Sequence, residues 1–143
     1  MDLDVVFLGT SGSAPTARRA PAATLLRRGG DRILVDCGEG TQRQLLRSDI
    51  GLVELPEVVL THLHADHFLG LPGMLKTFAL RGRVMPMTVV GPRGLRDLVS
   101  TLRRVFGKLT YGLIDSDQPV FARDVVRYHG EPVAAVAAET EAA

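Results

Sequence analysis

Short apolar runs separated by glycine-rich turns predict a sheet with helices packed against it. Runs of aliphatic and β-branched residues predict strands over residues 3–8, 22–28, 32–36, 57–61 and 87–90, and the strands over 3–8 and 57–61 are expected to be buried. Helical patterns predict helices over residues 41–47, 71–80 and 94–106. Because strands and helices alternate along the chain, we predict an α/β (α+β) fold with a sheet covered by helices.

The last predicted helix has the clearest amphipathic pattern. Its apolar positions recur at helical spacing and predict one buried face, made of Leu95, Leu98, Val99, Leu102 and Phe106. The pattern weakens after Gly107, where residues 120–121 and 124–128 are further candidate strands.

The length and composition indicate one globular domain over residues 1–143. The hydrophobic fraction is 45% and the charged fraction is 23%, both ordinary for such a domain. No apolar run is long enough to span a membrane, and the acidic start of the chain is unlike a signal peptide. The single cysteine, Cys37, excludes an intrachain disulfide and fits a cytoplasmic location.

The net charge is only +1, but the basic residues are unevenly distributed. The segment 68–114 contains one acid, Asp97, and eight basic residues, which are Lys76, Arg81, Arg83, Arg93, Arg96, Arg103, Arg104 and Lys108. Such a segment forms either a face that attracts phosphates or an ordinary solvated helix surface, and the sequence leaves both readings open.

The most specific chemical signal is a cluster of histidines that follows a predicted strand. Three of the four histidines fall within six residues, in the pattern His62-x-His64-x-Asp66-His67. Imidazole nitrogen and carboxylate oxygen are both good zinc ligands. In an extended loop, His62 and His64 point the same way, whereas Asp66 and His67 follow after a turn. Four donors this close together suit a site for two metal ions better than one tetrahedral ion.

Several motifs in this chain resemble those of known protein families. Residues 61–67 (THLHADH) resemble the motif that defines the metallo-β-lactamase superfamily. The more specific similarities to ribonuclease Z are GTSGS at 9–13, DCGEGTQ at 36–42, GLPG at 70–73 and GP at 91–92. The resemblance implies an αββα sandwich with a dinuclear metal site, here as the N-terminal half made of one sheet and its helices.

The resemblance also implies roles for individual residues. His62 and His64 would bind the first of two zinc ions, and Asp66 and His67 would bind the second. Asp66 would also act as the catalytic general base. His129, before Gly130-Glu131-Pro132, is the candidate for a third ligand of the first ion.

Three further residues are expected to support the ligands. The glycine turn near Thr10 and the loop from Asp36 to Thr41 would lie beside the site. Asp36 would hold a metal-binding histidine by its far nitrogen, although a turn cap after a strand is an equal alternative for this residue. Cys37 is expected to be a small buried hydrophobic residue.

The family resemblance implies a zinc-dependent endoribonuclease that matures the 3′ end of tRNA precursors, with a tRNA precursor as substrate and a homodimer as a possible assembly. The family's bridging aspartate and late histidine have no counterpart in this sequence. We therefore expect a domain truncated at its C-terminus, with one bound ion rather than two, that is either weak in catalysis or completed by a partner chain. The alternatives are a small-molecule hydrolase of the same fold (arylsulfatase-, lactonase- or β-lactamase-like) and a non-catalytic metal-binding remnant.

Overall fold

The computed structural model describes residues 2–52 and 55–106. Its elements in chain order are β1 (Leu3–Gly9), β2 (Ala23–Arg28), β3 (Asp31–Val35), α1 (Thr41–Arg47), β4 (Glu57–Val59), α2 (Ala65–Phe68), α3 (Gly70–Leu80), β5 (Thr88–Val90) and α4 (Leu95–Phe106). The predicted α/β class is confirmed, and each strand and helix predicted before residue 107 is present. Within this part of the chain, no helix is both long and apolar enough to cross a bilayer.

The described strands form one mixed sheet in the order β1-β2-β3-β4-β5. The first three strands are antiparallel neighbours, whereas β3, β4 and β5 run parallel to one another. Parallel neighbours require crossover connections. Helix α1 lies in the connection from β3 to β4, and α2 and α3 lie in the connection from β4 to β5. As a result, β3 and β4 end at the same edge of the sheet.

One face of the sheet forms the floor of the hydrophobic core. A single row of paired residues crosses all five strands on this face, and it consists of Val6, Leu25, Leu34, Val58 and Val89. These side chains share one buried cluster with side chains of the helices, namely Leu45, Leu71, Met74, Leu75, Phe78, Leu95 and Val99. Because side chains alternate between the two faces of a strand, the adjacent rows point to the opposite face.

Strand β1 differs from the prediction, because it is not buried. Leu3, Val5 and Phe7 all lie on the face opposite the core, and Phe7 keeps 70% of its surface exposed. The strand is at the edge of the sheet and has β2 as its sheet neighbour. Although β1 is apolar throughout, only its helix-covered face, where Leu8 lies, is buried.

Asp66 and His67, which are predicted to follow after a turn, lie on the short helix α2. The predicted buried face of α4 requires correction. In α4, Leu95 and Val99 are buried, but Phe106 is 52% exposed. The buried face of α4 is thus shorter than predicted. Among the described residues, α4 contacts the core mainly through its first two turns.

Candidate metal centre

The candidate site lies at the edge of the sheet where β3 and β4 end. Asp36 follows β3 directly, and Thr61 and His62 come shortly after β4. Because β3 and β4 are parallel neighbours, with Val35 opposite Val59, the segments that follow them leave the sheet side by side. This topology brings a carboxylate next to the histidine motif although 25 residues separate Asp36 from Thr61.

The buried carboxylate of Asp36 accepts hydrogen bonds from Thr61, directly before the histidine motif, and from His67, at its end. The backbone N–H of Thr61 donates to Oδ1 at 2.8 Å, and the Thr61 hydroxyl lies 3.0 and 2.9 Å from the two carboxylate oxygens. Nδ1 of His67 lies 2.8 Å from Oδ2. Asp36 itself has a φ of +60°, a left-handed conformation that aspartate adopts more readily than most side chains.

The contact between Asp36 and His67 determines which ring nitrogen is free. A carboxylate accepts hydrogen bonds only, so Nδ1 of His67 carries the proton and Nε2 keeps its lone pair. That Nε2 lies 3.5 Å from Oδ2 of Asp66. Nε2 of His67 and Oδ2 of Asp66 therefore lie next to each other as donor atoms. Asp36 holds the other side of the His67 ring, as carboxylates commonly do for histidines that bind metals.

The three imidazoles of the motif are packed together. The ring centroid of His62 lies 4.7 Å from that of His64, in an edge-on arrangement, and 3.8 Å from that of His67. His62 and His67 are half-buried, and His64 is exposed. The motif thus forms a compact group that remains open to solvent on one side.

Asp66 is held by a backbone amide from a distant loop. The N–H of Ser13, in the loop between β1 and β2, donates to Oδ2 at 3.0 Å across 53 residues of sequence. Ser13 has a φ of +58°, and the turn around it is closed by the hydroxyl of Ser11 on the carbonyl of Ala14 at 2.6 Å. The glycine-rich turn therefore supports the site through a main-chain group.

Backbone contacts also fix α2 and the start of α3 against the loop after β3. The N–H of Cys37 donates to the carbonyl of His67 at 2.7 Å, and the N–H of Gly70 donates to the carbonyl of Cys37 at 2.8 Å. A Cβ on Gly38 would lie 2.5 Å from the carbonyl oxygen of Asp66. The two segments approach so closely that glycine is required at this contact.

The predicted site residues are brought together to different degrees. The structure groups His62, His64, Asp66 and His67 beside Asp36. The hydroxyl of Thr41, which is buried, donates to the carbonyl of Gly38 at 2.7 Å, so Thr41 stabilises the loop after β3. Thr10 is exposed in the turn that ends β1. His129 lies outside the described residues, and its role as a ligand stays a prediction.

Sequence reasoning missed two contributors, Ser13 and Thr61. The Ser13 contact uses a backbone N–H, which every residue except proline possesses, so the residue type gave no signal. Thr61 offered a signal that went unused, because a hydroxyl residue directly before a histidine pair can bond to a ring nitrogen.

Burial raises the pKa of the Cys37 thiol from 9.0 to about 12, and the nearby Asp36 charge adds to this, against a hydrogen bond with Thr41 that lowers it. The thiolate is the reactive form, so we expect iodoacetamide to leave Cys37 unmodified in the folded protein at neutral pH and to modify it after denaturation. Intact-protein mass spectrometry measures this. Rapid modification under native conditions would contradict the buried placement.

The same shift has a consequence for stability. A folded-state pKa above the unfolded value means that the neutral thiol favours folding below pH 9.0, and that this contribution is lost as the pH rises toward about 12. We expect the variant Cys37→Ala to lack this part of the alkaline loss of stability. Chemical denaturation of both proteins across that pH range tests it.

The donor chemistry of the group suits a divalent metal such as zinc, since it combines three imidazoles with a carboxylate. No three His, Cys, Asp or Glu side chains within residues 2–52 and 55–106 are arranged to hold an ion by themselves. Donor atoms instead lie close together in pairs, such as those of Asp66 and His67. A complete coordination shell for a metal ion would need donors in addition to such a pair.

Comparisons with known proteins identify the family of this chain. The family described as the metallo-β-lactamase superfamily matches residues 17–137. Ribonuclease Z of Natronomonas pharaonis is 52% identical over 105 residues, which cover 71% of this chain and 34% of that protein. Ribonuclease Z of Clostridium beijerinckii is 40% identical over 117 residues, which cover 82% of this chain and 38% of that protein.

The solved structures include a crystal structure of human tRNase Z, short form, with a TM-score of 0.68 and 40% sequence identity. That match covers 77% of this chain and 42% of the human protein. The chain spans about a third of the length of the curated relatives it matches. Since the family match covers most of the chain, including the sheet edge with its histidine motif, the chain belongs to the metallo-β-lactamase superfamily.

Proposed function

We propose that the protein containing this chain is a zinc-dependent endoribonuclease that hydrolyses a phosphodiester in tRNA precursors to mature their 3′ ends. The observation that carries the proposal is the group of three imidazoles and one carboxylate at the edge of the sheet, next to Asp36. Identities of 40% and 52% to proteins named ribonuclease Z give the substrate class.

We assign the ligands in pairs, with His62 and His64 serving one ion and Asp66 and His67 serving the other. Asp36 holds His67 by Nδ1, so that the Nε2 lone pair is available. When bound, the two cations supply Lewis acidity toward the attacking water and the phosphate oxygens. The protein's own part is to hold these donors close together where β3 and β4 end.

Asp66 has a second role, as the group that takes the proton from the attacking water. The Ser13 amide occupies its Oδ2 at 3.0 Å, and within the described residues no hydrogen bond reaches its Oδ1. One oxygen is therefore fixed while the other is free to exchange a proton. This division lets a single carboxylate keep its orientation during the reaction.

The basic residues of segment 68–114 include both structural and exposed side chains. Among the basic residues of segment 68–114, Arg83 donates to the carbonyls of Leu55, Met85 and Pro86 and so has a structural role. Arg93 and Arg104 are exposed and available to RNA phosphates. A homodimer and a cytoplasmic location are further parts of the proposal.

Metal binding is the first test. The protein, expressed as its gene encodes it and supplied with zinc, is expected to retain zinc, and Asp66→Ala and His62→Ala are expected to retain less. The matched control is Asp97→Ala, since Asp97 is an exposed acid in the first turn of α4. Elemental analysis after gel filtration gives the zinc content per chain. Equal zinc in all four proteins would refute the site.

Substrate choice is the second test. The same proteins are incubated with a tRNA precursor that carries a 3′ trailer, and with a panel of small esters, sulfate esters and lactams. We expect cleavage of the precursor to leave a 3′-hydroxyl, and Asp66→Ala to lower its rate by about 10²- to 10⁴-fold. Turnover of the small substrates alone would favour a small-molecule hydrolase. Zinc binding with no turnover of any substrate would favour a non-catalytic remnant.

A further inference from the structure

The Thr61 side chain connects Asp36, which holds a proposed ligand of one ion, with His62, a proposed ligand of the other. Its hydroxyl lies 2.9 Å from Oδ2 and 3.0 Å from Oδ1 of Asp36. The same hydroxyl oxygen lies 3.0 Å from Nδ1 of His62. The backbone N–H of Thr61 also donates to Asp36. The side chain therefore bridges a buried carboxylate and a partly exposed imidazole.

The direction of each hydrogen bond in this bridge follows from what the groups can donate. A hydroxyl has one proton, and a carboxylate offers acceptors only. The Thr61 proton is therefore directed to Asp36, and the hydroxyl oxygen is left with lone pairs facing His62. Nδ1 of His62 must donate to that oxygen at 3.0 Å, so Nδ1 carries the ring proton and Nε2 carries the lone pair.

We infer that Thr61 is a positioning residue that sets the tautomer of His62. Asp36 then controls two histidines, His67 directly through Nδ1 and His62 indirectly through the Thr61 hydroxyl. Both rings present Nε2 for coordination. An imidazole free in water favours the opposite tautomer, with the proton on Nε2, so the protein must impose this one. The consequence for zinc rests on the function proposed above, whereas the tautomer itself does not.

A purely structural role for Thr61 would rest on its backbone N–H and on the hydroxyl bond to Asp36. Thr61→Ser keeps the hydroxyl, and Thr61→Val keeps the shape and removes it. Both variants keep the backbone N–H that donates to Asp36. Thr61→Ala serves as a second hydroxyl-free variant if Thr61→Val folds poorly, as judged by circular dichroism.

The tautomer is measured on metal-free protein labelled with ¹⁵N-histidine, by two-dimensional NMR at about pH 8, where an unperturbed imidazole is neutral. Signals of His62 are identified by their loss in His62→Gln. We expect Nδ1–H in the wild type and in Thr61→Ser, and a shift toward Nε2–H in Thr61→Val. An unchanged tautomer in the hydroxyl-free variants would overturn the inference.

Zinc affinity is measured on the same proteins by competition with a chromophoric chelator. We expect Thr61→Val to weaken zinc binding by about 10- to 100-fold, as for other groups that orient metal ligands, and Thr61→Ser to resemble the wild type. His62→Gln separates the two ideas. If it leaves affinity unchanged, the proposed site fails whatever the tautomer. If it weakens binding while Thr61→Val does not, the contribution of Thr61 to zinc binding is refuted, and the proposed site stands.

Discussion

Replacing Gly70 with alanine is expected to lower the free energy of unfolding by about 3 kcal/mol, near the upper end for overpacking in a buried contact. An added Cβ would lie 2.0 Å from the carbonyl oxygen of Gly38 and 2.9 Å from that of Cys37. Both obstacles are backbone atoms, so no side-chain rotation relieves them. The start of α3 must move away, which breaks the hydrogen bond from the Gly70 N–H to Cys37.

Gly73 in the same helix is the matched control. A Cβ there would make only ordinary contact, 3.5 Å from Oε1 of Gln42. Since glycine is a poor residue inside a helix, Gly73→Ala is expected to stabilise the protein by about 0.5–1 kcal/mol. Urea unfolding followed by circular dichroism measures both variants. If the two alanines had equal effects, the close approach of α3 to the loop after β3 would be wrong.

The Gly70 contact also matters for function, because it lies directly after α2. Helix α2 carries Asp66 and His67, and its last turn is fixed by the bond from the Cys37 N–H to the His67 carbonyl. Displacing α3 is expected to move both donors relative to Asp36. Gly70→Ala protein that still folds should therefore bind zinc more weakly than Gly73→Ala protein.

The local parts of the fold and site could be predicted from the sequence. The strand and helix positions follow from the spacing of apolar residues, and the donor group follows from four polar residues within six positions. Both signals depend on neighbours in the chain. The contact between Asp36 and His67 could not be predicted from neighbouring residues, because 31 positions separate the two. The carboxylate accepts from the His67 ring and from the Thr61 backbone, and because Thr61 is 25 residues away, this backbone bond joins two strand ends and does not cap the turn of Asp36 itself.

Other features depend on contacts that residue type does not encode. The Ser13 amide reaches Asp66 only because the loop between β1 and β2 folds over α2. The exposure of Leu3, Val5 and Phe7 depends on which face of the sheet the helices cover, and the apolar sequence of β1 does not report this. Gly38 and Gly70 could be recognised as turn or helix-start residues, but the backbone that each one meets comes from elsewhere in the chain.

Replacing Asp36 with asparagine is expected to destabilise the protein by about 2 kcal/mol and to weaken zinc binding by about 10- to 100-fold. Asparagine tolerates the left-handed backbone, with its φ of +60°, so the loop itself should not be strained. The loss arises at the side chain, where three donors converge on two oxygens. An amide supplies one oxygen, so its NH₂ group would face a donor from Thr61 or His67.

The matched control for this substitution is Asp4→Asn. Asp4 also bonds to a partner, Arg27, at 2.9 Å, but this ion pair lies on the exposed edge of the sheet, where such pairs contribute about 0.2–1 kcal/mol. We expect Asp4→Asn to leave zinc affinity unchanged. Equilibrium denaturation and chelator competition give both quantities for each variant. If Asp36→Asn behaved like Asp4→Asn in both measurements, Asp36 would be an ordinary turn residue, and the orientation of His67 would have another cause.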